Sequence, residues 1–315
     1  MEPGFKRAAW VKESIVAGNG FHAMKQDPTR HNALNIASLL GVVLGFCGLI
    51  ALGGALPAWL YIPLAAPLFG SMFFSGFILV IHECSHNMFL LFKDRERIKG
   101  ANRLIGKIAG WVLFTDYIRH WEGGHTTHHL RPCEPDDPQD ANPLTGAELW
   151  PMYWRLLIPG YFMVLNPSRR YPGALGRAVV GLLIWGPILT LTGLYVSWAV
   201  PVAMGLGFHV LAALNMSKKA QEHGCGLAHE ADPMLRSRTY FYPLQRIFSP
   251  FNINYHFEHH ANFNVPWYRL PAYHKAVIKL VPEPVKGYYF HHDYLAQLSG
   301  KKPLPPDELR PLLQG

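Results

Sequence analysis

Three short stretches of the sequence carry histidines at spacings typical of metal ligands. In two stretches the histidines stand at positions i, i+3 and i+4, which lie on one face of a helix, and in the other they stand at i and i+4. Protonated imidazoles packed so closely would repel each other, whereas neutral imidazoles offer lone pairs to a cation. The repeated pattern therefore predicts a metal site. Its members are His82 and His86, then His125, His128 and His129, then His256, His259 and His260.

Eight histidines are more than a single ion needs. A structural zinc takes about four protein ligands and a catalytic zinc about three, so the number suits two metals that share one site. Imidazole binds zinc, copper, iron and nickel, and the spacing leaves the element open. His223, in the sequence Glu222-His223-Gly224 just after the last predicted span, is a further candidate ligand.

Several polar residues near these stretches are candidates to orient an imidazole by binding its second ring nitrogen, although each could equally be a solvated surface group. The lone His209, inside an apolar stretch, is predicted to be a packing residue, and the pair His291–His292 is predicted to be exposed. The candidate orienting residues are Glu83, Asp116, His120, Glu222, Asn254 and Glu258.

Two other classes of protein fit part of the pattern. His82-Glu83-x-x-His86 is also the HExxH motif of zinc proteases, with Glu83 as the general base. That hypothesis, an intramembrane zinc protease, employs one stretch and leaves the other two without a role. A haem-binding or electron-carrying membrane protein would need facing histidines inside apolar spans, and only His209 stands in such a position.

The amount and placement of apolar residues predict a membrane protein. Of 315 residues, 50% are hydrophobic and 16% are charged, fewer than the roughly 25% charged residues of a soluble domain. Residues 35–82 and 178–217 contain no Asp, Glu, Lys or Arg, and each stretch is long enough for two passages of about 20 residues. We expect an all-α integral membrane protein with four main transmembrane helices arranged as two hairpins. Their predicted bounds are 36–57, 59–81, 177–197 and 199–216.

The polar remainder is predicted to form a cytoplasmic histidine-rich cap, within a single membrane domain of residues 1–315. The mean hydropathy of +0.06 is too low for a chain that is all membrane and fits a sizeable cap. The cap comprises residues 82–175 and 217–300, and a proline-rich tail at 301–315 is predicted to be poorly ordered.

Three segments are predicted to lie at the membrane surface rather than across it. Residues 5–30 mix basic and apolar side chains, and residues 95–112 read as an amphipathic interfacial helix that is too charged to cross. Residues 149–166 are apolar, but Arg155 interrupts them, and a charge near the bilayer centre costs roughly 2.5–3.5 kcal/mol. We therefore place this segment in the interface as well.

The charge pattern indicates which side of the membrane each part occupies. The net charge is +8, and the basic residues flank the apolar spans without forming a stripe with interleaved aromatics, which argues for membrane lipids and against nucleic acid as a partner. By the positive-inside rule, both termini and all histidine stretches face the cytoplasm, at the inner membrane of a bacterium or the endoplasmic reticulum of a eukaryote. The four cysteines are scattered, so no disulfide framework is expected.

The histidine stretches, with the histidine of Glu222-His223-Gly224 between them, resemble the histidine boxes of the membrane fatty acid desaturase superfamily of non-haem diiron enzymes. The match runs from about Ile81 to His274. Its most specific part is Asn254-Tyr255-His256-Phe257-Glu258-His259-His260 followed by Val265-Pro266-Trp267-Tyr268-Arg269-Leu270-Pro271. A transmembrane hairpin is predicted between the second and last boxes. With this spacing, the sequence resembles acyl desaturases more than it resembles sterol-type hydroxylases, which also carry three boxes.

The resemblance implies a membrane-bound oxidoreductase that binds two irons and uses O2 to oxidise an unactivated C–H bond of a fatty acyl or lipid chain. Desaturation is the expected outcome, with hydroxylation or oxidative decarboxylation by the same centre as alternatives. No cytochrome or flavin module is recognisable, so we expect a separate electron donor of ferredoxin, rubredoxin or cytochrome b5 type, with its reductase. The implied iron ligands are His82, His86, His125, His128, His129, His223, His256, His259 and His260.

Overall fold

The computed structural model is almost entirely helical and describes residues 6–139, 146–224, 226–293 and 304–314. Two π-helical turns, Phe77–His82 and Tyr117–Glu122, precede α4 and α6. The α-helices are, in chain order, α1 (Ala9–Gly18), α2 (Pro28–Leu52), α3 (Ala58–Gly76), α4 (Glu83–Ser85), α5 (Arg95–Val112), α6 (His125–Leu130), α7 (Gly146–Arg155), α8 (Tyr161–Leu165), α9 (Ala174–Tyr195), α10 (Ala199–His223), α11 (Gln245–Phe248), α12 (His256–Ala261), α13 (Leu270–Val277) and α14 (Glu283–Tyr289). Short 3₁₀ turns lie at Asn19–Phe21, Ala23–Lys25, Pro167–Arg170, Leu227–His229, Pro233–Arg236, Pro250–Asn252, Trp267–Arg269 and Asp307–Leu312.

The chain divides into two compact units. The first, which we call the span unit, comprises Pro28–Gly123 and Tyr153–Asn215. The second, which we call the histidine unit, comprises Met1–Asp27, Gly124–Met152 and Met216–Gly315. The prediction that residues 1–315 make one domain stays a prediction.

Within the described residues, four helices are long and apolar enough to cross a membrane: Pro28–Leu52, Ala58–Ser85, Ala174–Tyr195 and Ala199–His223. The predicted fold class, an all-α multi-pass membrane protein with a histidine-rich part, is confirmed. The helices extend beyond the predicted spans because hydropathy marks only the apolar part of a helix, whereas backbone hydrogen bonding continues through polar turns. His223 accordingly lies in the last turn of α10 rather than after it.

The core of the span unit is apolar and aromatic. The Phe73 ring stacks on Phe208 at 4.2 Å between centroids and meets Trp185 edge-on at 5.4 Å. α3 and α10 approach closely at Gly207, where an added Cβ would lie 2.8 Å from Cβ of Phe69. Glycine is needed there because any side chain would push the two helices apart.

The predicted interfacial segments take different forms. α5 begins at an N-cap, Asp94, whose side chain accepts from the Arg97 amide at 2.7 Å, and it exposes Leu104 and Trp111 as an amphipathic helix would. Residues 149–166 form no single segment, because α7 ends at Arg155 and α8 follows separately.

The core of the histidine unit buries the N-terminal helix. Trp10 of α1 stacks on Phe257 at 5.7 Å between ring centroids, and α1 packs against α12 and α13. The Trp10 indole donates to the carbonyl of Leu312 at 2.8 Å, and Leu313 is buried. Trp10 and Val11 of α1 thus contact protein, whereas Val16 is exposed, and the prediction that residues 5–30 lie partly on the lipid surface stays a prediction. Residues 304–314 of the predicted poorly ordered tail are packed, because these apolar residues complete the same core.

A two-stranded parallel sheet joins distant parts of the histidine unit. β1 (Thr239–Tyr240) pairs with β2 (Phe290–His291), with Thr239 opposite Phe290. The prediction that His291 is exposed was wrong, since the strand pairing buries this side chain. His292, one residue further, is exposed as predicted.

Candidate metal centre

The third histidine stretch forms α12, which has a buried face made of imidazoles. Tyr255 precedes the helix, and the spacing places His256, His259 and His260 within one turn. All three are at most 2% exposed, and the rings of His256 and His260 lie 4.5 Å apart between centroids.

The second stretch forms α6, whose three histidines are also buried. Nε2 of His125 and Nε2 of His129 are 3.1 Å apart. The ring of His129 lies 4.5 Å from that of His259, and the ring of His128 lies 4.9 Å from that of His260. The second and third stretches therefore face each other inside the histidine unit.

These six histidines, together with His223 from the end of α10, form two groups. In each group one ring nitrogen of every member lies within 4.8 Å of those of the other members. The three-histidine group consists of His125, His129 and His259, and the four-histidine group of His128, His223, His256 and His260. Two neighbouring groups of this kind suit two metal ions.

His82 and His86 lie in the span unit, at the end of the π-helical turn and after α4. Their rings are 4.9 Å apart between centroids, and both are buried. α4 ends at Ser85, and Asn87, two residues later, has a positive φ of 57°, which suits asparagine. The hydroxyl of Ser85 donates to the carbonyl of His82 at 2.6 Å.

The segment after the first stretch is held by Asn102 of α5, which is fully buried. Its Oδ1 accepts from the amides of Phe89 at 2.9 Å and Leu90 at 3.1 Å. Its Nδ2 donates to the carbonyls of Leu90 and Ile98, both at 2.8 Å. One side chain therefore satisfies four main-chain groups that would otherwise be costly to bury.

Outer partners form hydrogen bonds to two members of the four-histidine group, and a carboxylate lies near a third. Nδ1 of His128 is 2.9 Å from Oδ2 of Asp137, and Nδ1 of His223 donates to the carbonyl of Arg236 at 2.7 Å. Nδ1 of His256 lies 3.3 Å from Oε1 of Glu222. Because Nδ1 of His128 and Nδ1 of His223 each bind an acceptor, these two neutral rings carry their proton on Nδ1 and present a lone pair at Nε2.

The facing nitrogens test whether a metal fits. Nε2 of His256 lies 2.9 Å from Nε2 of His223, so two lone pairs point toward the same place. Two imidazoles bound at right angles to one ion, at about 2.0–2.1 Å each, would be about 3 Å apart. Within the described ranges 6–139, 146–224, 226–293 and 304–314, neither ring nitrogen of His260, both buried, has a hydrogen-bond partner. The donor set fits a cation.

Burial keeps these imidazoles neutral. Desolvation by burial lowers the pKa of His260, and the neighbouring His128 adds to the effect. Desolvation also lowers the pKa of His256, with Lys218 contributing. For His128 desolvation again lowers the pKa, although Asp137 opposes it. Neutral imidazole is the form that binds a metal.

Asp137 was missed by the sequence analysis. Burial alone would raise its pKa, but hydrogen bonds from His128 and from the amides of Cys133 and Gln139 outweigh burial and hold the pKa at about 2. The residue stands in an acidic loop nine positions after His128, and no spacing rule separates it from its acidic neighbours. Only the fold identifies it.

The predicted orienting residues divide between two kinds of contact. Glu222 faces His256 as described, and Oε1 of Glu83 lies 3.5 Å from Nδ1 of His82. Oε2 of Glu258, by contrast, accepts from the hydroxyl of Thr239, and its Oε1 contacts Nδ1 of His274.

The remaining candidates bind or pack against other parts of the chain. Asn254 donates to the carbonyl of Tyr240 at 3.0 Å, His120 packs between Trp121 and Tyr171, and Asp116 pairs with Arg177 at 2.8 Å. His209 accepts from the amide of Gly160 at 3.3 Å, in keeping with a packing residue.

Comparison with known proteins decides the family. A family model described as fatty acid desaturase matches residues 57–292. The chain belongs to the fatty acid desaturase family. It is 27% identical over 258 residues, 76% of this chain and 72% of the relative, to the sphingolipid delta(4)-desaturase/C4-monooxygenase DES2 of Homo sapiens. It is 28% identical over 117 residues, 37% of this chain and 30% of the relative, to the sn-1 acyl-lipid omega-3 desaturase (ferredoxin) of Nostoc sp. (strain 36).

Membership in the fatty acid desaturase family confirms the predicted resemblance and makes the protein an oxidoreductase of lipid chains. The family uses iron together with an electron donor. Four apolar helices and desaturase relatives make it a multi-pass membrane protein. The zinc-protease hypothesis loses its support, because a protease would leave the two histidine groups of the histidine unit without a role.

Proposed function

We propose that the protein introduces a double bond into a fatty acyl chain, with O2 as the oxidant, at two iron ions held by the nine predicted histidines. The observation that carries the proposal is the pair of buried histidine groups, above all the four-histidine group with its converging Nε2 atoms. Family membership supports lipid oxidation as the chemistry.

The three-histidine group is proposed to gain His82 and His86 as further ligands. The basis is the sequence, because these two histidines form the remaining stretch with metal-ligand spacing. Both are buried and share one helix end, as ligands of one ion would. The assignment gives five histidines to one ion and four to the other.

When bound by these histidines, two reduced irons would supply, with O2, the oxidising power needed to take hydrogen from an unactivated C–H bond. The chain contributes orientation, neutrality and exclusion of water. Asp137 and the carbonyl of Arg236 hold the Nδ1 protons of His128 and His223, so that both Nε2 atoms stay directed at one point. Burial removes competing water and protons from the imidazoles.

Hydroxylation by the same centre is the second candidate. The human relative carries both reactions in its name, desaturase and C4-monooxygenase. After the first hydrogen is removed, loss of a second gives a double bond, whereas transfer of oxygen gives an alcohol. Sub-ångström positioning of the chain decides between them. Oxidative decarboxylation of a free acid would give a terminal alkene instead.

A separate electron donor is part of the proposal. One relative carries ferredoxin in its name, and this chain has a net charge of +8, which favours an acidic donor at a basic cytoplasmic face. Raising the salt concentration should slow donor-dependent turnover because screening weakens the encounter. A turnover rate that does not depend on salt concentration would argue against electrostatic docking of the donor.

The active site is proposed to face the cytoplasm. The basic residues before residue 35, between 93 and 131, and at Lys218 and Lys219 flank the long helices, while the connections near residues 53 and 197 carry none. Labelling single cysteines introduced at Trp59 and Lys279 in sealed vesicles would report the two sides. Labelling of both from the same side would contradict this topology.

The reaction is tested by substitution of one proposed ligand and one matched histidine. His259→Ala should remove iron and end lipid oxidation, whereas His292→Ala, at an exposed histidine, should retain both. Iron per chain in purified protein and mass spectrometry of cellular lipids measure the outcome, and the product (alkene, alcohol or shortened terminal alkene) identifies the reaction. Full activity of the His259→Ala protein would refute the site.

A further inference from the structure

One arginine of the histidine unit binds both segments that orient the four-histidine group. Arg236 closes the 3₁₀ turn Pro233–Arg236, and its main-chain carbonyl accepts the Nδ1 proton of His223 at 2.7 Å. Two residues after Arg236, the amide of Arg238 donates to the carbonyl of Glu222 at 3.0 Å. The segment therefore runs along the last turn of α10 and fixes the rotation of the His223 ring.

The guanidinium of the same residue reaches the acidic loop. Its Nη1 donates to Oε1 of Glu134 at 2.8 Å and to the carbonyl of Pro132 at 3.2 Å. Its Nε donates to the carbonyl of Glu230 at 2.8 Å. The Arg236 side chain is 13% exposed and that of Glu134 is 34% exposed, so these bonds are partly shielded from water and connect the arginine to the loop.

The loop that Arg236 reaches holds the carboxylate of Asp137 in place by hydrogen bonds within the loop. Asp137 accepts from the amides of Cys133 at 3.0 Å and Gln139 at 2.9 Å, and its amide donates to the carbonyl of Glu134 at 2.9 Å. The carboxylate then contacts Nδ1 of His128 at 2.9 Å. Glu134, which accepts a hydrogen bond from Arg236, thus belongs to the turn that orients the Asp137 carboxylate toward His128.

We propose that Arg236 is a positioning residue that aligns His128 and His223 together for one metal ion. The inference rests on the proposed function in that it takes the four-histidine group to be a metal site. His223 is aligned through the main chain of Arg236 and His128 through its side chain, by way of Glu134 and Asp137. One residue therefore sets two of the four ligands.

Arginine suits this task better than lysine. A guanidinium offers five N–H donors in a planar fork, so one side chain can hold three acceptors at fixed angles. A lysine has a single rotatable ammonium and cannot reproduce the geometry. Loss of a partner that orients metal ligands typically lowers metal affinity about 10–100-fold, and we expect a change of that size at one ion.

The experiment titrates Co²⁺ into metal-free, full-length protein in detergent and follows its visible absorption, which reports the ligands of each ion. Wild-type protein should show two classes of site. Arg236→Lys should weaken one class about 10–100-fold and change its spectrum while the other class stays the same. Arg7→Lys is the control, since Arg7 pairs equally tightly with Asp232, at 2.8 and 2.9 Å.

Two further variants keep the test decisive if Arg236→Lys folds poorly. Glu134→Gln removes only one contact of the guanidinium and should weaken the same class by less. Asp137→Asn acts on the same histidine, so its effect combined with Arg236→Lys should fall short of the sum of the two.

Three results would overturn the proposal: unchanged binding in Arg236→Lys, equal weakening of both classes, or additive effects of the pair. Equal weakening would mark Arg236 as a general structural residue. Wild-type protein that binds no Co²⁺ would instead refute the metal centre on which the proposed function depends.

Discussion

The two units differ in what they bury and in what they expose. The span unit encloses apolar rings such as Phe69 and Phe73, and it exposes Leu183 and Leu194 to about 70%. The histidine unit fully buries Glu222, Glu258 and Arg238 alongside its histidines. In water the first arrangement would aggregate, and in any solvent the second is costly unless the charges are paired.

The difference shows where each unit obtains its stability. The span unit needs lipid around it. In lipid, its exposed apolar side chains carry no hydration cost. The histidine unit tolerates buried charge because the charges hold one another and the imidazoles in place: Lys218 donates to Glu222 at 2.6 Å, and Glu222 in turn faces His256. Polar groups arranged in this way favour a bound cation over a stable metal-free protein.

The largest expected effect comes from removing the histidine whose two ring nitrogens have no partner among the described residues. His260→Ala should lower iron affinity and activity by more than about a hundredfold, since loss of a direct ligand exceeds the loss of an orienting partner. Insertion into the membrane should be unchanged, because the span unit is untouched. Iron analysis and the yield in the membrane fraction measure the two. A fall in membrane yield would show that the units are not separable.

Acid should destabilise the metal-free histidine unit. Burial holds the folded pKa of His128, His256 and His260 below the ordinary 6.5, so below pH 6.5 the unfolded chain binds more protons than the folded one. Stability is complete above pH 6.5 and is lost as the pH falls. From pH 6.5 to 5.5 the free energy of unfolding should drop by about 1 kcal/mol per histidine. Thermal midpoints of metal-free protein measure it, and a flat profile would contradict neutral buried imidazoles.

A matched pair of substitutions tests whether the two exposed surfaces meet different solvents. Leu183 of the span unit is 69% exposed and Leu244 of the histidine unit is 63% exposed. Leu183→Asp should cost about 2.5–3.5 kcal/mol of insertion free energy, because the side chain faces hydrocarbon. Leu244→Asp should change stability by no more than about 0.5 kcal/mol. A large loss from the second change would show that this surface of the histidine unit also touches lipid.

The smallest expected effect concerns Asn102 and the four main-chain groups that it binds, which we call the polar clamp of the span unit. Asn102→Ala leaves buried main-chain groups of Phe89 and Leu90 without partners and should cost about 1–3 kcal/mol. Asn32→Ala is the control and should cost less, since Asn32 is only partly buried and its hydrogen bonds within the described residues are to the amide and carbonyl of Leu91, at 2.8 and 2.9 Å. Thermal unfolding in detergent compares them. Equal midpoints would mean that the clamp contributes nothing.

Sequence alone predicted the features that depend on local pattern. Uninterrupted apolar stretches identify membrane helices because lipid requires about 20 such residues in a row, and the i, i+3, i+4 spacing of His256, His259 and His260 requires a helix to share a face. The buried state of Trp10 and of Leu313 escaped prediction. An apolar side chain packs equally well on protein or lipid, and only the fold decides which.

Long-range pairings were likewise beyond the sequence. Asp137 is one acid among several in its loop, and its contact with His128 depends on a turn closed by Arg236, about a hundred residues away. The nine-histidine ligand set stays a prediction, although seven members come together in the histidine unit as that set requires.

The π-helical turn Phe77–His82 affects which single-residue deletions the protein can tolerate. A π turn closes its hydrogen bonds over one residue more than an α turn, so deleting a single residue would let a regular helix form. The residues after the deletion would then rotate by about 100° around the helix axis and shift by about 1.5 Å along it. His82 and His86 would as a result point in a different direction. A one-codon deletion here should be purged by selection, whereas the same deletion in the connection at residues 53–56 should survive.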